Sequence, residues 1–203
     1  MLDASGLTRS FQRRDVLGPL DLQVQAGERL ALTGANGAGK STLLRCIAGT
    51  LAPSSGTVTV AGHPAGSRAA KRCIGVSFAQ ERSFYLRLTG AENLTTFASM
   101  REGKAQARAS VEEILTELEL HDVAARRIDR CSSGMVQQLS IARALLGTPP
   151  IVLLDEPTRS LDTAAVDRLW AALDRRRGAT VIIATHRKED VGRCERQLAL
   201  GAS

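Results

Sequence analysis

Hydrophobic residues recur along this chain with two different periods, and together they predict an α/β fold. Apolar runs or alternations of strand type occupy the segments 2–8, 20–24, 29–33, 57–61, 73–78, 151–154, 180–185 and 197–200. The run Ile151–Leu154 is apolar at every position, which is typical of a strand buried in a parallel sheet. Gly18-Pro19 predicts a turn between the first two strands.

Helical spacing appears in the middle of the chain, from about residue 83 to residue 147. Gly103 separates two predicted helices, whose apolar faces contain Leu94, Phe97, Ala98, Val111, Ile114, Leu115 and Leu118. We interpret this segment as a mostly helical subdomain inserted into a core of residues 1–82 and 148–203. A length of 203 residues fits a single domain of this kind.

The segment between the strand at 29–33 and the next helix carries the clearest chemical signal. It reads Gly34-Ala35-Asn36-Gly37-Ala38-Gly39-Lys40-Ser41-Thr42 and fits G-x-x-x-x-G-K-[ST], the phosphate-binding P-loop. Glycines let successive backbone N–H groups form a concave nest, and the helix beginning near Lys40 adds the positive end of its dipole. The Lys40 ammonium can reach the β- and γ-phosphates, and the Ser41 hydroxyl can ligate Mg²⁺.

The alternative to a P-loop is a glycine-rich turn with a chance lysine. Because the full motif stands between a predicted strand and a predicted helix, we favour a nucleoside triphosphate site. Its predicted binding residues are Gly34, Asn36, Gly37, Ala38, Gly39, Lys40, Ser41 and Thr42.

Two carboxylates, Asp155 and Glu156, follow the buried strand at its C-terminal end. In P-loop enzymes the first acid holds Mg²⁺, and a second carboxylate beside the γ-phosphate can polarise a water. A helix N-cap is the structural alternative for this pair. Gln80 and His186 also follow predicted strands, where each could meet a ligand beside the P-loop. For Gln80 taken alone, a surface polar cap is the favoured explanation.

Three further features are unspecific when taken singly. Phe11 could stack on an adenine ring or belong to the core. Ser132 and Gly134 precede a predicted helix and could bind an anion, but ordinary capping is the alternative. Phe84 and Tyr85 lie between polar residues and suit either an interaction surface or a loop anchored in the core.

Composition narrows the class of protein without deciding its function. The four cysteines are far apart and form no C-x-x-C pair, which favours reduced thiols over disulfides or a zinc site. The formal net charge of +6 would suit nucleic acid or an anionic membrane, but the basic residues are dispersed, so we favour a solvated, arginine-rich surface. No apolar run is long enough to cross a bilayer and no signal-peptide pattern begins the chain, so we expect a cytoplasmic protein.

Taken in order, these motifs resemble the nucleotide-binding subunit of an ATP-binding cassette (ABC) transporter over nearly the whole chain. The P-loop matches Walker A, Ile151–Glu156 matches Walker B, and Ser160-Leu161-Asp162 matches the D-loop. The remaining matches are Gln80 with the Q-loop, His186 with the switch histidine, Phe11 with the adenine-stacking aromatic, and Cys131-Ser132-Ser133-Gly134-Met135 with the signature motif, usually Leu-Ser-Gly-Gly-Gln. The resemblance implies an α/β P-loop NTPase of the ABC ATPase type, with a mainly parallel core sheet, an antiparallel N-terminal β part and an inserted helical subdomain.

The resemblance also implies an ATPase that uses ATP and Mg²⁺. Family members pair head to tail around two ATP molecules, so that Ser132, Gly134 and Asp162 of one subunit would face nucleotide held by the other. The implied catalytic residues are Glu156, His186 and Gln80, and the implied Mg²⁺ ligands are Ser41, Gln80 and Asp155. Either a homodimer or a heterodimer is compatible with the sequence.

A separate transmembrane permease is the second implied partner. Its coupling helix would dock near Gln80, Phe84 and Tyr85, with the chain on the cytoplasmic face of the cell membrane. The signature region is similar to that of bacterial exporters of polysaccharides, lipids or drugs. It departs from the family pattern at Ser133, Met135 and Gln138, so we expect a weaker contact between Met135 and nucleotide than a glutamine makes.

Two other classes of function fit parts of the pattern. An ABC-type ATPase acting on nucleic acid usually carries a second cassette, a coiled coil or a zinc-binding insertion, and no nucleic acid is expected here. A regulatory module would hold ATP without turnover. The complete set of Asp155, Glu156 and His186 argues against that alternative.

Overall fold

The computed structural model describes residues 1–12, 14–79 and 83–201. The chain forms two compact units: the first comprises Met1–Ile74, Pro150–Glu156 and Gly178–Ser203, and the second comprises Gly75–Pro149 and Pro157–Arg177. Residues 75–79 and 157–177, assigned to the core from the sequence, therefore belong to the compact unit that contains the helical segment. The subdomain boundaries at 83 and 147 stay a prediction.

The chain begins with three consecutive strands, and its middle part is helical. The strands are β1 (Leu2–Phe11), β2 (Arg14–Val24), β3 (Arg29–Thr33), β4 (Ser55–Val60), β5 (His63–Pro64), β6 (Ile74–Ser77), β7 (Ile151–Asp155), β8 (Thr180–Ala184) and β9 (Arg196–Ala199). The helices are α1 (Lys40–Ile47), α2 (Arg68–Cys73), α3 (Gly90–Glu102), α4 (Lys104–Glu117), α5 (His121–Ala124), α6 (Ser133–Leu145), α7 (Thr163–Arg175) and α8 (Lys188–Val191), with a 3₁₀ turn at Ile128–Arg130.

An antiparallel sheet with the order β2-β1-β4-β5 forms one part of the first unit. Leu2, Ala4 and Leu7 of β1 are buried, and an irregularity in the pairing between Ala4 and Leu7 allows both of these residues to face the core. The predicted turn at Gly18-Pro19 is wrong, because both residues lie inside β2. This strand is at the edge of the sheet, where a proline without an N–H breaks no ladder hydrogen bond.

The strands β7, β8, β3 and β9 are neighbours in that order in the first unit, and each adjacent pair is parallel. Every residue of β7 and β8 is buried, as expected for strands covered on both faces. Ala184 pairs with Asp155 on one side and with Leu32 on the other, so β7, β8 and β3 end at the same level. Because ligands of parallel sheets bind at the carboxyl ends of strands, this edge is where a site is expected.

The second unit is built mainly from helices. α3 begins with a capping box, in which the Thr89 Oγ1 accepts from the Glu92 N–H at 3.1 Å and the Glu92 carboxylate accepts from the Thr89 N–H at 2.7 Å. Gly103, with a φ of 89°, separates α3 from α4 at the predicted place. Of the seven apolar positions that predicted these helices, Phe97 is half-buried. The other six are buried, namely Leu94, Ala98, Val111, Ile114, Leu115 and Leu118.

Helix α6 is packed closely against β6. A Cβ at Gly75 would lie 1.7 Å from the carbonyl oxygen of Ala144, so only glycine permits this approach. The Ser77 and Ser140 hydroxyls are both fully buried and share a hydrogen bond of 2.9 Å. The backbone contact and the buried polar pair therefore join α6 to β6.

A cluster of charged side chains joins the C-terminal ends of α4 and α7. Glu117 accepts a hydrogen bond from Arg175 at 2.8 Å and two from Arg176, and the side chains of Glu117 and Arg176 are only 14% and 13% exposed. Burial raises the pKa of Glu117, but the hydrogen bonds and charges of Arg176 and Arg175 outweigh burial and leave the pKa lowered. The carboxylate is thus held in its charged form.

All four cysteines are free thiols, in agreement with the sequence-based prediction. Burial raises the pKa of Cys194 to about 11, and it also raises the pKa of Cys46 and of Cys131. These three thiols are therefore protonated at neutral pH, which makes them poor nucleophiles and poor metal ligands.

Candidate nucleotide site

The P-loop connects β3 to α1 through backbone conformations that favour glycine. Gly34, Gly37 and Gly39 have φ angles of 141°, 87° and 91°. A Cβ at Gly39 would lie 2.6 Å from Leu17 Cδ2 and 2.7 Å from the Val16 carbonyl oxygen, and a Cβ at Gly34 would lie 2.4 Å from the Leu200 carbonyl oxygen. Two of the three glycines are therefore required both by the backbone conformation and by close contacts.

Gly39 is also the N-cap of α1, so no side chain at the cap accepts hydrogen bonds from the first turn of the helix. The N–H groups at the start of a helix have no intrahelical partner, and together with the helix dipole they attract an anion. Leu43, Leu44 and Ile47 bury the opposite face of α1, which fixes the helix against the core. The local sequence thus presents an N-terminus suited to phosphate.

Lys40 bends back over the loop. Its Nζ donates hydrogen bonds to the carbonyl oxygens of Gly34 at 2.8 Å and Ala35 at 3.1 Å, and the residue is only 8% exposed. An ammonium group has three hydrogens, so these two bonds leave one donor for a phosphate oxygen. The positive charge is therefore held in place at the loop rather than extended into solvent.

Glu156, directly after β7, has a strained backbone. Its φ is 48°, in the left-handed region that a glutamate rarely adopts, and its N–H donates to the Ala184 carbonyl oxygen at 2.8 Å. Strain of this kind is concentrated at functional sites, because the surrounding structure has to maintain it. The preceding residue, Asp155, is buried at the end of β7.

His186 lies two residues beyond β8, and its Nδ1 is 2.7 Å from Glu156 Oε2. A carboxylate only accepts, so Nδ1 carries the hydrogen of this bond. The backbone around His186 is fixed, since the Thr185 N–H donates to Leu32, and the Thr185 hydroxyl donates to Asp190 at 2.9 Å and accepts from the Arg187 N–H at 3.1 Å. The ends of adjacent parallel strands thus bring together a carboxylate and an imidazole that are thirty residues apart in the sequence.

Phe11 ends β1 in the same unit and is 41% exposed. The Arg9 guanidinium lies over its ring, 4.4 Å from the centroid, and donates to the Ala52 carbonyl oxygen at 3.0 Å. Sequence reasoning missed Arg9. The signal was available, because residues two apart on a strand share a face.

The predicted signature residues lie in the second unit. Ser132 is the N-cap of α6: its Oγ accepts from the Met135 N–H at 3.2 Å, and the Met135 sulfur accepts from the Ser132 N–H at 3.4 Å. This is a capping box in which a thioether replaces the usual carboxylate or amide. A Cβ at Gly134 would lie 2.6 Å from the Ser160 carbonyl oxygen, so the signature and the predicted D-loop are in close contact.

Asp162 is the N-cap of α7, and its Oδ1 accepts from the Ala165 N–H at 2.7 Å. The side chains of Asp162 and Ser132 therefore both act as helix caps, and their contact with nucleotide stays a prediction. Gln80, predicted as catalytic and as a metal ligand, lies outside the described residues.

The oxygen donors suited to Mg²⁺ are Ser41, in the first turn of α1, and Asp155, at the end of β7. In the part of the chain that the structure describes, no group of three or more His, Cys, Asp or Glu side chains could hold a metal ion.

Comparison with known proteins decides the family. The family model described as ABC transporter matches residues 17–159. The chain belongs to the ABC transporter family. The resemblance inferred from the motifs is thereby confirmed, and so is the α/β fold with one parallel and one antiparallel sheet.

Curated ABC relatives are similar over almost the whole of this chain. The Nod factor export ATP-binding protein I of Rhizobium meliloti (strain 1021) is 37% identical over 207 residues, which cover 99% of this chain and 62% of that protein. The ABC transporter ATP-binding protein NatA of Bacillus subtilis (strain 168) is 34% identical over 200 residues, which cover 94% of this chain and 81% of that protein. The chain thus spans less than two thirds of the length of the Nod factor relative.

Solved ABC cassettes have the same fold. The dimeric structure of MJ0796, a bacterial ABC transporter cassette, is 26% identical with a TM-score of 0.90, over 99% of this chain and 94% of that chain. A dimeric post-hydrolysis state of the same cassette, bound to ADP and Pi, gives a TM-score of 0.88. Among the described residues of this chain, no helix combines the length and the apolar character needed to span a membrane.

Proposed function

We propose that this ABC chain binds and hydrolyses ATP and that it powers export through a separate transmembrane permease. The observation that carries the proposal is the hydrogen bond between Glu156 and His186 at the edge of the sheet where the P-loop begins. A carboxylate held at this edge beside a phosphate-binding loop supports hydrolysis of a γ-phosphate rather than nucleotide binding alone.

ATP binding is supported by three features of the first unit. The uncapped start of α1 presents N–H groups to an anion, Lys40 is held at the loop, and Phe11 offers an exposed ring for stacking on a base. We assign the triphosphate to Gly34, Asn36, Gly37, Ala38, Gly39, Lys40, Ser41 and Thr42. We place the adenine on Phe11.

Glu156 is the proposed general base. His186 holds Glu156 Oε2, so we assign Oε1 to the attacking water, whose proton it accepts as the water oxygen approaches the γ-phosphorus. A protonated His186 can donate from Nε2 to the γ-phosphate while Nδ1 still donates to Glu156. The Lys40 ammonium and the N–H groups of the loop stabilise the charge on the equatorial oxygens. We also retain Gln80 as a proposed ligand of the metal and the γ-phosphate.

Ser41 and Asp155 are the residues that would hold Mg²⁺. When bound, the ion would neutralise charge on the β- and γ-phosphate oxygens. Both donors are hard oxygens, as Mg²⁺ requires.

A second ABC subunit is the proposed partner at the nucleotide. The start of α6 at Ser132 and Gly134 faces solvent or is half-buried, and such a helix start suits a phosphate held by another subunit. The solved relatives described as dimeric support this arrangement. Asp162 would act across the same interface.

The permease is proposed to dock on Tyr85 and Leu86, which are 51% and 63% exposed. Phe84 beside them is buried and anchors the loop, so Tyr85 is the member of the aromatic pair that we retain as a proposed permease contact. Export, and a position on the cytoplasmic face of the membrane, are proposed from the name of the Nod factor relative and from the sequence resemblance.

The test is to purify the tagged chain from its native membranes in mild detergent and to assay ATP hydrolysis. We expect a stoichiometric polytopic membrane protein to copurify. We expect Glu156→Gln to reduce turnover by at least ~10²-fold. The matched control is Glu113→Gln, an exposed glutamate of α4, which should leave turnover intact. Recovery without a membrane protein, or full turnover by Glu156→Gln, would contradict the proposal.

A further inference from the structure

The loop that carries Tyr85 and Leu86 is held rigidly by one buried side chain. The Asn93 Oδ1 accepts from the Tyr85 N–H at 2.8 Å, and Asn93 Nδ2 donates to the carbonyl oxygens of Tyr85 at 3.1 Å and Thr89 at 2.9 Å. Asn93 is fully buried in α3. Asn93 therefore ties the backbone of this loop to α3.

Arg143 of α6 contacts residues in and beside this loop. Its guanidinium carbon lies 5.0 Å from the ring centroid of Phe84 and 4.9 Å from that of Phe97, and Nη1 donates to the Ser83 hydroxyl. The two rings contact each other edge to face at 5.9 Å, and Tyr85 stacks on Phe97 at 6.4 Å. One side chain of α6 thus contacts two aromatic rings and one hydroxyl beside the exposed loop.

Helix α6 begins at the signature. The rise of an α-helix places Arg143 about 16 Å from Ser132 along the same rigid element. At that far end, Gly134 is in close contact with the Ser160 carbonyl oxygen and Ser132 caps the helix. A small shift of α6 driven at Arg143 therefore changes where the Ser132–Met135 segment lies.

We propose that Arg143 is the positioning residue through which a permease segment bound on Tyr85 and Leu86 sets the position of the signature start of α6. This inference rests on the proposed function, because it takes the exposed loop as the permease contact. Arg143 acts through α6 and not by touching nucleotide. Through Arg143, the contact of the signature motif with nucleotide would depend on whether the permease is bound.

Arginine is suited to this role for a geometric reason. A planar guanidinium can lie against two rings and still donate in its own plane to Ser83, whereas the ammonium of lysine keeps the charge but not the planar stacking. Methionine keeps much of the length and apolar contact but loses both charge and donor. Arg143→Lys and Arg143→Met therefore separate the stacking and donor contributions from simple packing.

The experiment compares the assembled chain–permease complex carrying wild-type, Arg143→Lys, Arg143→Met or Arg108→Met chains. Arg108 is an exposed arginine of α4, so its replacement removes the same charge away from the aromatic loop. Four quantities are measured: permease recovered per chain, ATP affinity, ATPase stimulation by the permease, and hydrogen exchange at the amides of Ser133, Gly134 and Met135 with and without permease.

We expect Arg143→Met to keep permease recovery and ATP affinity but to lose about tenfold in permease-dependent stimulation. The permease-induced change in exchange at the signature amides should disappear in Arg143→Met, shrink in Arg143→Lys and persist in Arg108→Met. A merely structural role would not produce this pattern, because it would alter exchange equally with and without permease.

The outcomes separate this inference from the proposed function. If no permease copurifies with the wild-type chain, both the proposed function and the role of Arg143 are overturned. If the wild-type complex is stimulated and Arg143→Met behaves like it, only the role of Arg143 is overturned. Loss of permease binding or of folding in Arg143→Met, with normal coupling in a folded Arg143→Lys complex, also overturns it, since the residue would then only support the loop.

Discussion

The P-loop leads into α1 in the first unit, and the predicted signature motif leads into α6 in the second unit. Both helix starts are suited to phosphate, but they are built in different ways. At the P-loop, three glycines and Glu156 have positive φ angles, and a buried lysine is bonded to backbone carbonyls. At the signature, Ser132 and Met135 form a side-chain cap with extended and helical backbone, and no residue from 132 to 135 has a positive φ.

The two helix starts differ in how far the local backbone conformation depends on the surrounding fold. A non-glycine residue in the left-handed region, such as Glu156, costs about 1–3 kcal/mol, so it persists only where the fold stabilises it. The edge proposed to bind nucleotide is therefore formed by the fold itself. The signature start is an unstrained helix start, whose contribution depends on where the whole helix is positioned.

Among the substitutions that test this difference, the largest loss of stability is expected at Gly39. Gly39→Ala places a Cβ 2.6 Å from Leu17 and 2.7 Å from the Val16 carbonyl oxygen, in a residue with a φ of 91°. We expect a loss of about 4 kcal/mol in the free energy of unfolding, from overpacking and backbone strain together. Urea denaturation measures the loss, and ATP affinity should fall with it.

Gly37→Ala is the matched control for Gly39→Ala. Gly37 has a similar φ of 87°, but nothing lies within 4 Å of a Cβ there. Only the backbone term of about 1 kcal/mol is expected. Equal losses in the two variants would show that the close contacts at Gly39 are unimportant.

The next effect concerns the unit that contains the signature, where a buried ion pair contributes to stability. Glu117→Ala leaves Arg176 without its main partner in a nearly buried position, and we expect a cost of about 3 kcal/mol. Because the pKa of Glu117 is lowered in the folded chain, its contribution is complete above the ordinary glutamate pKa and is lost as pH falls through the lowered value.

Denaturation of wild type and Glu117→Ala between pH 7 and acid conditions tests this assignment. The difference between the two should shrink as pH falls. Glu113→Ala, an exposed site on the same helix, should show almost no difference at any pH. A constant difference would mean that packing and not charge explains the cost.

A smaller effect is expected from releasing the strain at Glu156. Asparagine tolerates the left-handed region better than glutamine, and both replacements remove the carboxylate. We expect Glu156→Asn to be about 1 kcal/mol more stable than Glu156→Gln, with hydrolysis impaired in both. The denaturation midpoints of the two variants measure this difference. Equal stability would mean that the φ of 48° stores no strain.

The smallest expected change in stability comes from replacing Met135 in the signature motif. Met135→Glu completes an ordinary capping box and adds a negative charge at the helix N-terminus, which should stabilise the chain by about 0.5 kcal/mol. The same charge should repel a triphosphate and weaken ATP-dependent dimerisation, measured by analytical ultracentrifugation. Met135→Gln should stabilise without this repulsion, so equal dimerisation of the two variants would argue against phosphate at this helix start.

Much of the fold was predictable because local residue types determine it. The glycines of the P-loop, the all-apolar β7 and the helical spacing around Leu94 and Ile114 each indicate one structure. The Gly18-Pro19 turn failed because proline is also tolerated on an edge strand, and edge position is a property of the sheet.

Side-chain partners over long sequence separations were beyond sequence reasoning. The Glu156–His186 bond follows only once the register of β7 with β8 is known. The contacts of Arg143 with Phe84 and Phe97 join three segments, and no periodicity indicates them. Gln80 lies outside the described residues, so its role stays a prediction.

The most direct test of Glu156 as the catalytic base is a single turnover of ATP with the chain in excess, comparing wild type, Glu156→Gln and Glu113→Gln. We predict that all three bind ATP with similar affinity and that γ-phosphate cleavage is at least ~10²-fold slower in Glu156→Gln alone. Cleavage by Glu156→Gln at the wild-type rate would contradict the assignment, as would a slow rate that is fully explained by lost ATP binding.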